Sequence, residues 1–127
     1  MDYRLATPLD WPAILAFWHE RGSIFPPQDP STLGGHWLIA VTEDGAVHGT
    51  LWYFAEPPHA FVDFWGANGG RTAARLGAIF EQRVMREQGI RYAHGLIFSE
   101  NHSARRLANG LGMVSAGPYD RVFKEVK

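Results

Sequence analysis

The sequence predicts an α/β fold in which a mixed, mostly antiparallel sheet carries helices on both faces. Three observations predict it. Apolar β-branched runs and helical periodicities follow one another in the order β-α-β-β-β and then α-β-α-β. The triplet Glu43-Asp44-Gly45 between two such runs is a hairpin signal, so early strands pair antiparallel. Residues 61–98 read as strand, glycine turn, helix and strand, a right-handed crossover that leaves its two strands parallel.

Each element has its own signal. Residues 3–6 form a short first strand. Thr7 is placed to cap a helix, with Pro8 at the first helical position and Asp10 three residues after the cap. Trp11, Ile14, Leu15 and Trp18 give that helix an apolar face, and Gly22 ends it. Residues 23–35 hold three Pro and two Gly without periodicity, which is a loop. Strands are expected at 36–41 and 47–55, and Pro57-Pro58 breaks the chain before a strand ending at Trp65. The turn Gly66, Gly69, Gly70 leads into a helix over about 71–88. Leu76, Ile79, Phe80 and Val84 form its buried stripe, Arg75, Arg83, Arg86 and Glu87 face water, and Gly89 sits where a helix-terminating glycine belongs. A strand at 91–98, a short helix with Ala104, Leu107 and Leu111 on its apolar face, and a last strand at 121–126 complete the chain. Asn101 or Ser103 caps that short helix.

Composition narrows the function classes. A chain of 127 residues without repeat or linker is expected to form one domain over residues 1–127. It has no cysteine, which excludes disulfides and a cysteine nucleophile. Twelve Lys+Arg against thirteen Asp+Glu provide no field to recruit nucleic acid or an anionic membrane. No apolar run approaches the ~20 residues that span a bilayer, and the start does not read as a signal peptide, so a cytoplasmic protein is expected. Six histidines are scattered at 19, 36, 48, 59, 94 and 102 without an i,i+4 pair, and no metal site is expected from them.

The turn after the strand at 61–65 carries the functional signal. It aims free main-chain N–H groups outward at a helix N-terminus, which is an anion site, and it suggests a phosphate-bearing cofactor. Arg71 lies in the first helical turn and suits phosphate, while Arg75 reads as a solvated charge or a second phosphate partner.

Two segments carry a resemblance. Asn101-His102-Ser103-Ala104-Arg105-Arg106-Leu107-Ala108-Asn109-Gly110-Leu111-Gly112-Met113 and the opening Arg4-Leu5-Ala6-Thr7-Pro8-Leu9-Asp10, together with the element order, resemble the GCN5-related N-acetyltransferase (GNAT) family. The resemblance implies a splayed parallel strand pair and transfer of an acetyl group from acetyl-CoA to a primary amine on a small molecule or protein. It assigns cofactor binding to Trp65, Gly66, Gly69, Gly70, Arg71 and Thr72 around the pyrophosphate turn, and to Asn101 along the cofactor arm. The family's loop reads Arg or Gln, two residues, Gly, one residue, Gly or Ala. Here Gly69 to Ala74 lacks the leading Arg and has Thr72 for a glycine, whereas Arg71 to Leu76 keeps the Arg but loses the small pair. Ala108 stands where many members carry a thiolate-protonating Tyr, and Tyr119 is the nearby phenol left as candidate acid.

Asp63, the only acid in its strand, is expected to alternate with Phe61 and Trp65 on one face. It is the candidate base for the attacking amine, or else the partner of an arginine. A main-chain N–H near Trp65 and Gly66 would meet the oxyanion. The acceptor pocket is expected between the 23–35 loop, Trp52 or Phe54, and the strand at Trp65. Trp37 or Phe123 would cover the seam of a homodimer. A GNAT-like module without catalysis, serving binding or assembly, is the other class compatible with the altered loop.

Overall fold

The computed structural model describes residues 1–22, 30–95, 102–110 and 112–113. Strands β1 (Asp2–Leu5), β2 (His36–Val41), β3 (Val47–Glu56), β4 (His59–Ala67) and β5 (Tyr92–Gly95) form one sheet in sequence order. The first four pair antiparallel, and β4 with β5 is parallel from His59↔Tyr92 to Val62↔Gly95. The expected splay of that pair falls on residues after Gly95, which lie outside the described residues, as does the last strand at 121–126.

Helices flank both faces. A short 3-10 turn (Pro8–Asp10) leads into α1 (Trp11–Glu20), and Gly22 at φ +73° ends it as the chain turns left-handed. Ile14 and Phe17 are its buried residues, packed with Trp37, Ile39, Val41 and Val47 on one face of the sheet. The sequence pattern picked Trp18 and Leu15 over Phe17; both are only half-buried. The opposite face holds Leu38, Ala40, Leu51, Tyr53 and Ala60 under Leu76, Ile79, Phe80 and Val84 of the long helix. All four positions of the expected stripe are buried there.

That long helix, here α2, is α-helical over Gly70–Ile79, π-helical over Phe80–Met85 and α-helical again over Arg86–Gln88. Gly89 adopts φ +69°, and the Ile90 N–H donates to the Met85 carbonyl at 2.9 Å. This is a Schellman closure with Ile90 buried as its apolar clasp. Helix α3 (His102–Gly110) ends the same way: Met113 N–H reaches the Ala108 carbonyl at 3.0 Å, and Gly112 takes φ +80°. The Gly112-Met113 pair of the family-like segment is thus a helix stop. No helix among the described residues is long and apolar enough to cross a membrane.

The opening segment is tied together by an ion pair that spacing alone did not reveal. Arg4 on β1 grips Asp10 with Nη1 to Oδ2 at 2.7 Å and Nη2 to Oδ1 at 2.9 Å. The Thr7 N–H donates to the same carboxylate at 2.8 Å. Asp10 is only 7% exposed, and the Arg4 guanidinium first of all holds its carboxyl down to about 2. Strand β1 and helix α1 are therefore joined through charge as well as packing. Trp37, expected at a dimer seam, is 2% exposed beneath α1 and offers no surface; Phe123 lies outside the described residues.

Candidate functional site: a bulged strand and a glycine turn

Strand β4 is irregular where it matters. In its pairing with β3, Trp52 faces Asp63 and Thr50 faces Gly66, so the single residue Leu51 stands opposite both Phe64 and Trp65. This is a β-bulge, and Phe64 takes the left-handed conformation with φ +47°, which is strained for an aromatic residue. The extra residue reverses the alternation. Val62 packs toward α2, but Phe64 turns to the α1 side against Trp18 and Trp37, with ring centroids at 5.8 and 5.3 Å. Trp65 then faces α2 and donates from Nε1 to the Ala73 carbonyl at 2.9 Å. Asp63 and Trp65 do not share a face, contrary to simple alternation.

A buried relay holds the bulge. Trp18 Nε1 donates to Thr50 Oγ1 at 3.1 Å, and the Thr50 hydroxyl donates to the Phe64 carbonyl at 2.6 Å. Thr50 is fully buried, so losing either bond strands a polar group away from water. The Trp18 ring also fills the space beside Gly66, where a Cβ would meet it at 3.0 Å. Gly66 is explained by this helix-to-strand contact. Sequence reasoning assigned it to cofactor approach; the structure gives it a packing reason first.

Asp63 is exposed, and its Oδ1 accepts the Phe64 N–H at 2.7 Å. It forms no ion pair with an arginine among the described residues. Among the described residues the second carboxylate oxygen meets no hydrogen-bond donor, while the first occupies one main-chain donor at the bulge.

Beyond Gly66 the Asn68 N–H donates to the His48 carbonyl at 2.8 Å, and Gly69 adopts φ +126°, a conformation glycine tolerates. Helix α2 starts at Gly70, and its first closing bond runs from Ala73 N–H to Gly69 carbonyl at 3.2 Å. The N–H groups of Gly70, Arg71 and Thr72 meet no main-chain acceptor among the described residues, as expected for a first helical turn. A Cβ on Gly69 or Gly70 would meet nothing within 4 Å, so the space over the turn is open. Arg71 is exposed there. Thr72 is half-buried with its methyl directed at Gly49, and offers the turn its N–H.

One contributor escaped the sequence reading. Arg21, just past α1, donates from Nη2 to Asn68 Oδ1 at 2.5 Å and lies 4.3 Å over the Phe17 ring. It brings a second guanidinium to the turn from an element nearly fifty residues away. On the acceptor side, Trp52 Nε1 donates to the Gly34 carbonyl at 3.0 Å, tying that loop to β3, while Phe54 is exposed. A hollow of about 200 Å³ lies elsewhere, near the far end of α2, lined by residues including Tyr3, Arg4, Tyr53, Arg83 and Gln88. The turn is an open shelf of main-chain donors rather than an enclosed pocket.

No protein-family profile matches the sequence, and no curated protein does. Solved structures do. A ribosomal-protein-alanine N-acetyltransferase from Brucella melitensis biovar Abortus 2308 superposes with TM-score 0.71 at 16% identity, over 98% of this chain and 100% of that one. The aminoglycoside acetyltransferase meta-AAC0020 from an uncultured soil metagenomic sample, in complex with sisomicin, gives 0.68 at 14%, covering 99% and 96%. The fold is that of the GNAT acetyltransferases. A predicted acetyltransferase with acetyl-CoA from Clostridium acetobutylicum adds a TM-score of 0.64 at 11% identity, over 96% and 95% of the two chains.

Within this GNAT fold, Ala108 is 6% exposed on α3, a small buried residue with no hydroxyl to offer. Asn101 and Tyr119, the cofactor-arm and acid candidates, lie outside the described residues. Asp63, Trp65, Gly66, Gly69, Gly70, Arg71 and Thr72 all fall on one strand end and the turn that follows it.

Proposed function

We propose that this chain transfers an acetyl group from acetyl-CoA to a primary amine. The observation that carries the reading is the open turn at residues 69–72, with three successive N–H groups lacking main-chain acceptors at the start of α2, directly after the bulged strand. A diphosphate suits that shelf: the donors are main-chain, the helix dipole favours negative charge, and Arg71 and Arg21 stand beside it. Asn101 is assigned to the cofactor arm. Acetyl-CoA supplies the activated acyl group as a thioester; the chain's own residues must prepare the amine.

A lysine-like amine titrates near 10.4, so presenting it neutral at pH 7 costs roughly 4–5 kcal/mol. Asp63 is assigned to take that proton, through its free carboxylate oxygen or an intervening water. Its other oxygen occupies the Phe64 N–H, and a main-chain N–H near Trp65 and Gly66 is assigned to the thioester carbonyl. The acceptor is assigned to a site between the 23–35 loop, Trp52 or Phe54, and the strand at Trp65. Tyr119 is the phenol assigned to protonate the departing thiolate.

The experiment is a thermal melt with CoA and acetyl-CoA. Ligand at ~100 Kd contributes about 2.7 kcal/mol, which raises Tm by several degrees, and Arg71→Glu is expected to abolish the rise. An unchanged Tm at millimolar CoA refutes the reading. It would favour a second one, a GNAT-like binding module without catalysis, for which the hydroxyl-free Ala108 already speaks. A screen of amine acceptors with the purified protein then identifies the co-substrate.

A further inference from the structure

His59 and His94 are 35 residues apart in sequence, yet the parallel register of β4 and β5 brings them together. His59 Nδ1 and His94 Nε2 face each other at 2.8 Å. Both residues are exposed, and both rings are braced by stacking. His59 lies on Tyr92 with centroids 5.2 Å apart at 28°, and His94 on Phe61 at 5.6 Å and 29°. Glu56 is directly opposite His59 in the β3–β4 register, which puts the two on one face of the sheet.

We infer that this edge of the sheet chelates a first-row transition cation such as Zn2+ through His59 Nδ1 and His94 Nε2. A neutral imidazole has one N–H and one lone pair, so a hydrogen bond between the two rings uses a single inner proton. Moving that proton to the outer nitrogen of its own ring leaves both facing nitrogens as lone pairs aimed at one point, with no net proton released. Two nitrogens each 2.0–2.1 Å from zinc at a tetrahedral angle stand about 3.3 Å apart. The rings therefore need to part by only about 0.5 Å, well within small side-chain rotations. Stacking on Tyr92 and Phe61 restricts the rotamers in advance, so little freedom is lost on binding. Imidazole selects zinc, copper, nickel or cobalt over magnesium and calcium. The remaining coordination positions are left to water, since among the described residues no third histidine, aspartate or glutamate is grouped with the pair. A bound ion would bridge β4 to β5 through side chains, beside a strand pair whose described ladder is four residues long.

The test is titration of zinc chloride into the full chain, followed by calorimetry and by thermal melting. One ion per chain is expected, with a rise in Tm that EDTA reverses. A metal ligand matters at least as much as an outer-shell partner, so His59→Ala and His94→Ala should each weaken binding by about tenfold or more. His48→Ala should bind as the parent does. Because a stability readout is sensitive to folding, Co2+ provides a second one: visible ligand-field bands that vanish in both histidine variants. No heat and no Tm rise at millimolar zinc overturns the inference. So does binding, or an unaltered Co2+ spectrum, that survives both substitutions.

Discussion

Replacing Asp10 by Asn removes one charge from the Arg4–Asp10 pair while preserving size. Four hydrogen bonds converge on this carboxylate: two from Arg4 at 2.7 and 2.9 Å, one from the Thr7 N–H at 2.8 Å and one from the Thr7 hydroxyl at 3.3 Å. A carboxyl held at about 2 instead of its ordinary 3.8 corresponds to about 2.5 kcal/mol of stability at neutral pH. The Arg4 side chain is 38% exposed, so solvent screening reduces the expected loss to roughly 1–2 kcal/mol. The sign follows from the lowered pKa. The contribution is complete above the unfolded value near 4, declines as pH falls through the folded value near 2, and is absent below it. Urea unfolding followed by tryptophan fluorescence measures this directly. With m of about 1–3 kcal/mol/M, the variant's midpoint should fall by roughly 0.5–1.5 M at pH 7. The gap between parent and variant should narrow toward pH 2 and close below it, where Asp10 becomes neutral in both folded and unfolded states. An equal midpoint at pH 7, or a gap that persists unchanged at pH 2, would refute this account of how β1 is fastened to α1.

Three further outcomes test the bulge and the turn. Thr50→Val strands the Phe64 carbonyl and the Trp18 indole N–H, so stability should drop by about 1–3 kcal/mol in a chemical melt; Thr50→Ser should recover most of it, and no difference between Val and Ser would remove the relay. Gly66→Ala places a methyl against the Trp18 ring and should cost about 1–3 kcal/mol, whereas Gly70→Ala, in open space, should be neutral or stabilising by up to ~1 kcal/mol. Equal melting temperatures for those two variants would contradict the assigned packing. Asp63→Asn should depress turnover at neutral pH while leaving the CoA-induced Tm shift intact; unimpaired turnover excludes it as base.

Much of the architecture was legible because periodicity reports burial directly. The α2 stripe, the hairpin at Glu43-Asp44-Gly45 and the helix stop at Gly89 each follow from local chemistry. The bulge was not legible, since an extra residue within a strand carries no composition signal of its own; only the pairing of β4 with β3 exposes it. That is why alternation misplaces Trp65 relative to Asp63. Arg4 with Asp10 was partly visible: the spacing suggested a cap, while the salt bridge required knowing how β1 lies against the helix start. Arg21 at the turn and His59 beside His94 depend on tertiary approach across the sheet, which no window of sequence contains.

The π-helical segment at residues 80–85 offered equally little sequence warning, but the extra residue in β4 has the wider reach. Side chains on a strand switch faces with every step. Deleting Phe64 would restore plain alternation with Trp65 still facing α2, but it would remove the ring that packs on Trp18 and Trp37 and the carbonyl that accepts from Thr50. The extra residue is therefore kept for the ring and the carbonyl that it carries toward α1, and its neighbours face as they would without it. Insertions and deletions among descendants of this sequence should collect at connections such as the hairpin at Glu43-Asp44-Gly45 and spare Phe64.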